Sequence, residues 1–267
     1  MGQHGDVMQP SRADERHRAD PTGEVGSIAR AVSVLDTLAA AAGPLGVSEL
    51  SRRCGFSKSS MQRVLQALHA EGVLERDGSR YRLGLKLFEL GQQVPRQRDL
   101  REAARPFMED LGQATGQQVH LAVLDGDDVL YLEVLRSATA PSLPTRMGSR
   151  WPAHGTGIGK AILAFSEAAV VERVLTTGLP RLSERTISAP GSFVAELTRI
   201  RDRGYAFDLE ESRAGVACVA SPVFGHSGEV IAGLSVSGWH SRINLEQSAA
   251  AVRTAALSLS RNLRIEV

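Results

Sequence analysis

Apolar positions along this chain repeat first at helical spacing and later at strand spacing, which separates a small N-terminal part from a larger C-terminal one. Over residues 27–42, Ile28, Ala31, Val32, Leu35 and Leu38 share one helical face, with Ser27 as the expected N-cap and Gly43-Pro44 as the stop. Ser48 is placed to cap a short second helix ending at Cys54, and Gly55-Phe56 turns the chain into a third helix over residues 57–71. There Met61, Val64, Leu65 and Leu68 form an apolar stripe at i, i+3, i+4 and i+7. Ser59, Gln62, Arg63 and Gln66 repeat that spacing on the opposite face. Gly72 stands where a helix-ending glycine belongs. Residues 73–76 and 80–83 read as two strands around the tight-turn signal Asp77-Gly78. Helix, turn, helix and hairpin in this order predict a winged helix-turn-helix over residues 27–85.

Beyond the hairpin, residues 85–90 read as one more helical segment. Residues 86–103, polar around Pro95, read as a linker running into a helix over 99–115 that buries Leu100, Ala103, Ala104, Phe107, Met108 and Leu111. Strands then alternate with helices. A hairpin is expected over 118–124 and 129–135, helices near 155–165, 167–176 and 192–203, and a strand over 205–210. A second hairpin spans 217–224 and 230–237. A last helix over 244–263 carries Ala249, Val252, Ala256, Leu259 and Leu263 on its buried side. Hairpins interleaved with helices predict an α+β second domain, residues 104–267, with helices packed on an antiparallel sheet. Residues 1–26 show no periodicity and read as a disordered tail.

The charge changes the picture only locally. The whole chain of 267 residues carries a formal +1, yet from Arg52 to Lys86 there are eight Lys/Arg against three Asp/Glu. A basic surface confined to the winged unit is what a phosphate backbone attracts. Ser57, Lys58, Ser59, Ser60, Gln62 and Arg63 enter the third helix, where short polar side chains and an Arg reach base edges and the amides meet phosphate. Arg76 and Arg80 of the hairpin add phosphate contacts. Double-stranded DNA is the partner this arrangement suits. A winged helix used only for protein contacts is the competing reading.

Composition excludes more than it assigns. Cys54 and Cys218 are far apart and form no Cys-x-x-Cys pair, so neither a disulfide framework nor a zinc finger is suggested, and no cofactor is expected. The N-terminal residues are polar rather than signal-like, Asp6 spoils a myristoylation pattern, and no apolar run approaches membrane-spanning length. The expectation is a cytoplasmic protein.

A small-molecule site is suggested by His154-Gly-Thr-Gly-Ile-Gly-Lys160, glycine-rich backbone opening a helix, where amide N–H groups suit an anion. It is neither a Walker loop, since Ala161 follows the lysine, nor the dinucleotide fingerprint. Val216, Cys218 and Ala220 alternate on one strand, and Ser235 and Ser237 on its hairpin partner, so each set shares a face. Two hydroxyls and a thiol among aliphatic residues either pair with backbone or line a small polar pocket, to which Asp208 adds an acceptor or, if burial protonates it, a donor. Gly233-Leu-Ser-Val-Ser237 departs from a nucleophile elbow because its last position is not glycine. A Cys218–His154 or Cys218–His240 pair fits the composition, but nothing in the pattern favours it. No enzyme is expected, and hydrolase chemistry is the remotest alternative.

Taken in order, several segments resemble the IclR family of transcriptional regulators. They are Ser27-Ile-Ala-Arg-Ala-Val-Ser-Val-Leu35, residues 57–72, Arg80-Tyr-Arg-Leu-Gly84, Arg150-Trp-Pro-Ala-His-Gly-Thr-Gly-Ile-Gly-Lys-Ala161, Arg203-Gly-Tyr-Ala-Phe-Asp-Leu-Glu-Glu211, Gly215-Val-Ala-Cys-Val-Ala220 and Leu234-Ser-Val-Ser-Gly238. The resemblance implies a winged helix joined by a linker helix to a GAF-like effector-binding and oligomerisation domain, with dimers that often pair into tetramers. It implies an effector pocket lined by Gly157, Ile158, Asp208, Cys218, Ser235 and Ser237, with Leu143 and Met147 as apolar wall. It also implies effectors that are small organic acids or aromatic carboxylates. A small-acid sensor acting through protein partners remains the alternative.

Overall fold

The computed structural model describes residues 26–141 and 143–263. All but the last residue of the expected N-terminal tail lies outside that range. Contacts divide the chain into two compact units, with the break between Arg98 and Asp99.

The first unit contains helices α1 (Ser27–Ala40), α2 (Val47–Cys54), α3 (Lys58–Ala70) and α4 (Leu85–Gln92), with a three-stranded sheet of order β1-β3-β2. Its strands are β1 (Leu45–Gly46), β2 (Leu74–Asp77) and β3 (Arg80–Leu83), all antiparallel. Met61 and Leu65 of α3, Leu50 of α2 and Val34 of α1 are fully buried in one core with Leu38, Leu74 and Tyr81. Gly55, in the left-handed region at φ 73, makes the turn between α2 and α3. The expected caps Ser27 and Ser48 do not cap. Gly26 and Gly46 precede the helices, and both serines lie inside the first turn. Gly46 pairs with Arg80 in β1, which holds it extended and starts α2 at the next residue. Ile28 and Val32 are corrected as core residues of α1, being 80% and 38% exposed, while Val34 is buried. Apolar side chains cover more than one face of α1, so periodicity alone does not choose between them.

Helix α5 (Pro95–Thr115), most of which belongs to the second unit, starts four residues ahead of the expected position because Pro95 suits a first helical position. The sheet of this unit has six antiparallel strands in the order β6-β5-β4-β9-β8-β7. In chain order these are β4 (Gln118–Asp125), β5 (Asp128–Leu135), β6 (Arg150–Pro152), β7 (Ala206–Leu209), β8 (Val216–Phe224) and β9 (Val230–Trp239). The helices are α6 (Gly157–Ala164), α7 (Ala168–Thr177), α8 (Pro190–Arg203) and α9 (Leu245–Leu263).

Both faces of this sheet are covered. Ala217, Val219, Leu234 and Val236 pack with α5 and α9, whereas Cys218 and Ala220 point to the opposite core, which contains α6, Phe193 and Leu197. Strand alternation therefore places Cys218 of β8 and Ser235 and Ser237 of β9 on one side, near the N-terminal end of α6. Gly159 lets α6 approach its own entry turn, since a Cβ there would meet the Ala153 carbonyl at 2.1 Å.

Candidate nucleic-acid interface and ligand pocket

The start of α3 is organised by its own serines. Ser57 caps the helix by accepting a hydrogen bond from the Ser60 amide at 3.3 Å. The Ser60 hydroxyl accepts from Arg30 Nη1 at 3.2 Å, and that guanidinium also lies over the Phe56 ring. Arg30 was not indicated by the sequence, because only tertiary packing brings α1 to this helix end. Ser59, Lys58, Gln62 and Arg63 are exposed, and the side chains of the last three make no hydrogen bond or ion pair with described residues. In the hairpin, Arg76 Nε donates to the Gly78 carbonyl at 2.8 Å and Arg80 Nη1 to the Pro44 carbonyl at 3.2 Å. Each guanidinium keeps further donors turned to solvent. Arg82 is paired with Glu75 at 2.8 Å.

In the second unit the register builds the pocket floor. Gln118 lies opposite Ser237, Ser237 opposite Cys218, and Cys218 opposite Asp208, a polar row across β4, β9, β8 and β7. His120 and Ser235 are paired one step along the same face. Above them, Thr156 caps α6 by accepting from the Gly159 amide at 3.0 Å. The amides of Gly157 and Ile158 make no hydrogen bond within the described residues, as the first turn of a helix leaves them. Gly157 must be small: a Cβ there would stand 3.1 Å from Cys218 Sγ and 3.3 Å from Asp208 Cβ. The cavity has a volume of about 30 Å³.

Burial sets the protonation of its walls. Desolvation pushes the Asp208 carboxyl up, against the pull of Ser212, of Lys160 and of the Glu211 amide, which donates to Oδ1 at 2.7 Å. Lys160, with no exposed surface, pairs with Glu211 Oε1 at 2.5 Å, and Glu211 Oε2 has no hydrogen-bond partner among the described residues. Burial pushes the Cys218 thiol up to about 12 and, with the charge of Arg136, holds His120 at about 3. The cavity wall thus combines hydroxyls, a thiol, an imidazole, free amides and the buried Asp208 carboxyl, with the exposed Arg213 also lining it.

A family model for the bacterial transcriptional regulator IclR C-terminal region matches residues 92–261, and one for the IclR helix-turn-helix domain matches residues 27–78. The chain belongs to the IclR family. The HTH-type transcriptional regulator XynR of Escherichia coli K12 is 34% identical over 249 residues, covering 90% of this chain and 97% of the relative. The regulator KdgR of the same organism is 36% identical over 222 residues, 81% of this chain and 84% of its own. Among solved structures, an IclR homolog from Microbacterium hydrocarbonoxydans complexed with 4-hydroxybenzoate superposes with a TM-score of 0.84 at 30% identity, covering 90% of this chain and all 100% of the other. The Thermotoga maritima IclR gives 0.74 at 30% identity over 89% of this chain and 98% of its own.

As an IclR-family regulator the chain carries its expected pocket residues in one place, with a single exception. Leu143, Gly157, Ile158, Asp208, Cys218, Ser235 and Ser237 all line the cavity. Met147 does not; it is 50% exposed, with its sulfur 3.8 Å from Arg101 Nη2. His120, Tyr131, Thr145 and Trp151 line the cavity and were missed. They lie on β4, β5, the loop before β6 and β6 itself, and the pairing of β4 with β9 that brings this side of the sheet to the cavity is not written in local sequence. Neither His154 nor His240 lines it; His154 Nε2 lies 2.9 Å from the Pro180 carbonyl oxygen. Among the described residues no cluster of metal-ligating side chains occurs, and no helix is long and apolar enough to cross a membrane.

Proposed function

We propose that this IclR-family transcriptional regulator is a sequence-specific DNA-binding homodimer whose grip on a near-palindromic operator is set by a small organic acid held in the second unit. The carrying observation is the cavity wall. Its free Gly157 and Ile158 amides and its hydroxyl donors face a space that offers a carboxylate several hydrogen bonds, and burial there favours the neutral form of the Asp208 carboxyl. The 4-hydroxybenzoate complex of a related protein supports an aromatic or other small carboxylate. Ser59, Gln62 and Arg63 are assigned to base edges, and Ser57, Lys58, Ser60, Arg76 and Arg80 to placing the helix and wing on phosphate. The raised thiol of Cys218 argues against nucleophilic catalysis.

Isothermal calorimetry with 4-hydroxybenzoate and with pyruvate tests the pocket. Saturable binding of either acid, weakened at least tenfold by Ser235→Ala and by Asp208→Ala, is the expected outcome. Heat of turnover, or binding indifferent to both substitutions, contradicts it.

A further inference from the structure

The pocket has a second pole. Tyr131 rises from β5, three strands from β8 in the sheet order. At the usual strand spacing that is roughly 14 Å from the Cys218 backbone. Tyr131 nevertheless lines the same cavity as Asp208 and Cys218. Its neighbours in the register are Ala122 and then Gly233, and the space over Gly233 is taken by Ile158 of the pocket, whose Cγ1 would stand 2.6 Å from a Cβ there. The residue is 6% exposed, its ring meets His120 edge-on at 5.3 Å, and its hydroxyl makes no hydrogen bond with any described residue. A phenol hydroxyl that faces a cavity without a protein partner is left for a ligand or water to satisfy. Burial and the nearby Asp208 and Cys218 raise its pKa, so it stays a donor at any working pH.

We propose that Tyr131 is a specificity-determining ligand contact, whose hydroxyl binds a second oxygen function of the effector while the Gly157 and Ile158 amides hold its carboxylate. The ligand class is then a carboxylate bearing a hydroxyl or carbonyl oxygen, not a plain carboxylate. This rests on the acid-effector reading above. His120 and Thr145 stand behind Tyr131 as a fixed unit. Nε2 of the ring lies 3.1 Å from the Thr145 hydroxyl and 3.1 Å from Gln118 Nε2.

Two matched pairs of acids read the contact: 4-hydroxybenzoate against benzoate, and glycolate against acetate. Calorimetry on the full chain is expected to show the oxygen-bearing member of at least one pair binding about tenfold more tightly, the scale of one hydrogen bond to a buried donor. Tyr131→Phe should bring that ratio to near one, and Tyr131→Leu should do the same. Melting temperatures of the variants distinguish loss of contact from loss of fold, because a packing defect weakens both members of a pair alike. Binding without preference in the parent chain, or a preference that survives Tyr131→Phe, overturns the assignment and leaves the acid reading standing. Binding of none of the four acids overturns both.

Discussion

His120 is held neutral inside the sheet, and this has a measurable consequence. Its pKa in the folded chain is about 3, against 6.5 in an open chain. Between those values the unfolded chain takes up a proton that the folded one refuses. Stability therefore rises with pH through that window and is lost as pH falls from 6.5 toward 3. His120→Gln should flatten the slope by at most one proton, about 1.4 kcal/mol per pH unit, in urea denaturation between pH 6.5 and 4. Asp208 and Glu211, raised by burial, act in the opposite sense in both proteins, so the difference isolates His120. Gly157 tests the same space sterically. Gly157→Ala brings a methyl to 3.1 Å from Cys218 Sγ and should cut 4-hydroxybenzoate affinity at least tenfold while the melting temperature moves little. Sequence reading reached Cys218, Ser235 and Ser237 because alternation shows which residues of one strand share a face. It missed His120 and Tyr131 because alternation cannot show which strand lies next door, and β4 meets β9 only across more than a hundred residues of chain.

Elements set by local signals were the legible ones. α3 and its wing follow from a stripe, a glycine turn and an Asp77-Gly78 hairpin, all within a few residues of each other. β1 and β6 were invisible, being two and three residues long and held as strands only by pairing to β3 and β5. Within α6, Lys160 is the residue that ties the helix to the loop after β7 through Glu211. Lys160→Met strands a buried carboxylate and should cost about 3–5 kcal/mol in denaturant unfolding, with Glu211→Gln added on top recovering part of it. In the first unit, Arg63 and Arg80 separate two roles. Arg63→Ala should cost roughly 1–3 kcal/mol and blur one operator position in a binding-site selection, while Arg80→Ala should weaken all sequences alike and reduce the salt slope by about one. Arg63 losses that are uniform across sequences would contradict the placement of α3 in the groove.

For the whole molecule, the winged unit and the cavity lined by Gly157 and Ser235 belong to different compact units of one chain. An effector changes DNA affinity only to the extent that it binds the DNA-competent and DNA-incompetent states unequally. The coupling is reciprocal: any factor by which acid alters operator affinity must reappear as the factor by which operator alters acid affinity. A fluorescence anisotropy titration of the full chain with the DNA upstream of its own gene, run across a salt series with and without 4-hydroxybenzoate, measures this directly. The predicted result is tight binding at low ionic strength that weakens steeply with salt and an affinity that shifts when the acid is present. Failure to bind that fragment at low salt, with or without the acid, would contradict the account.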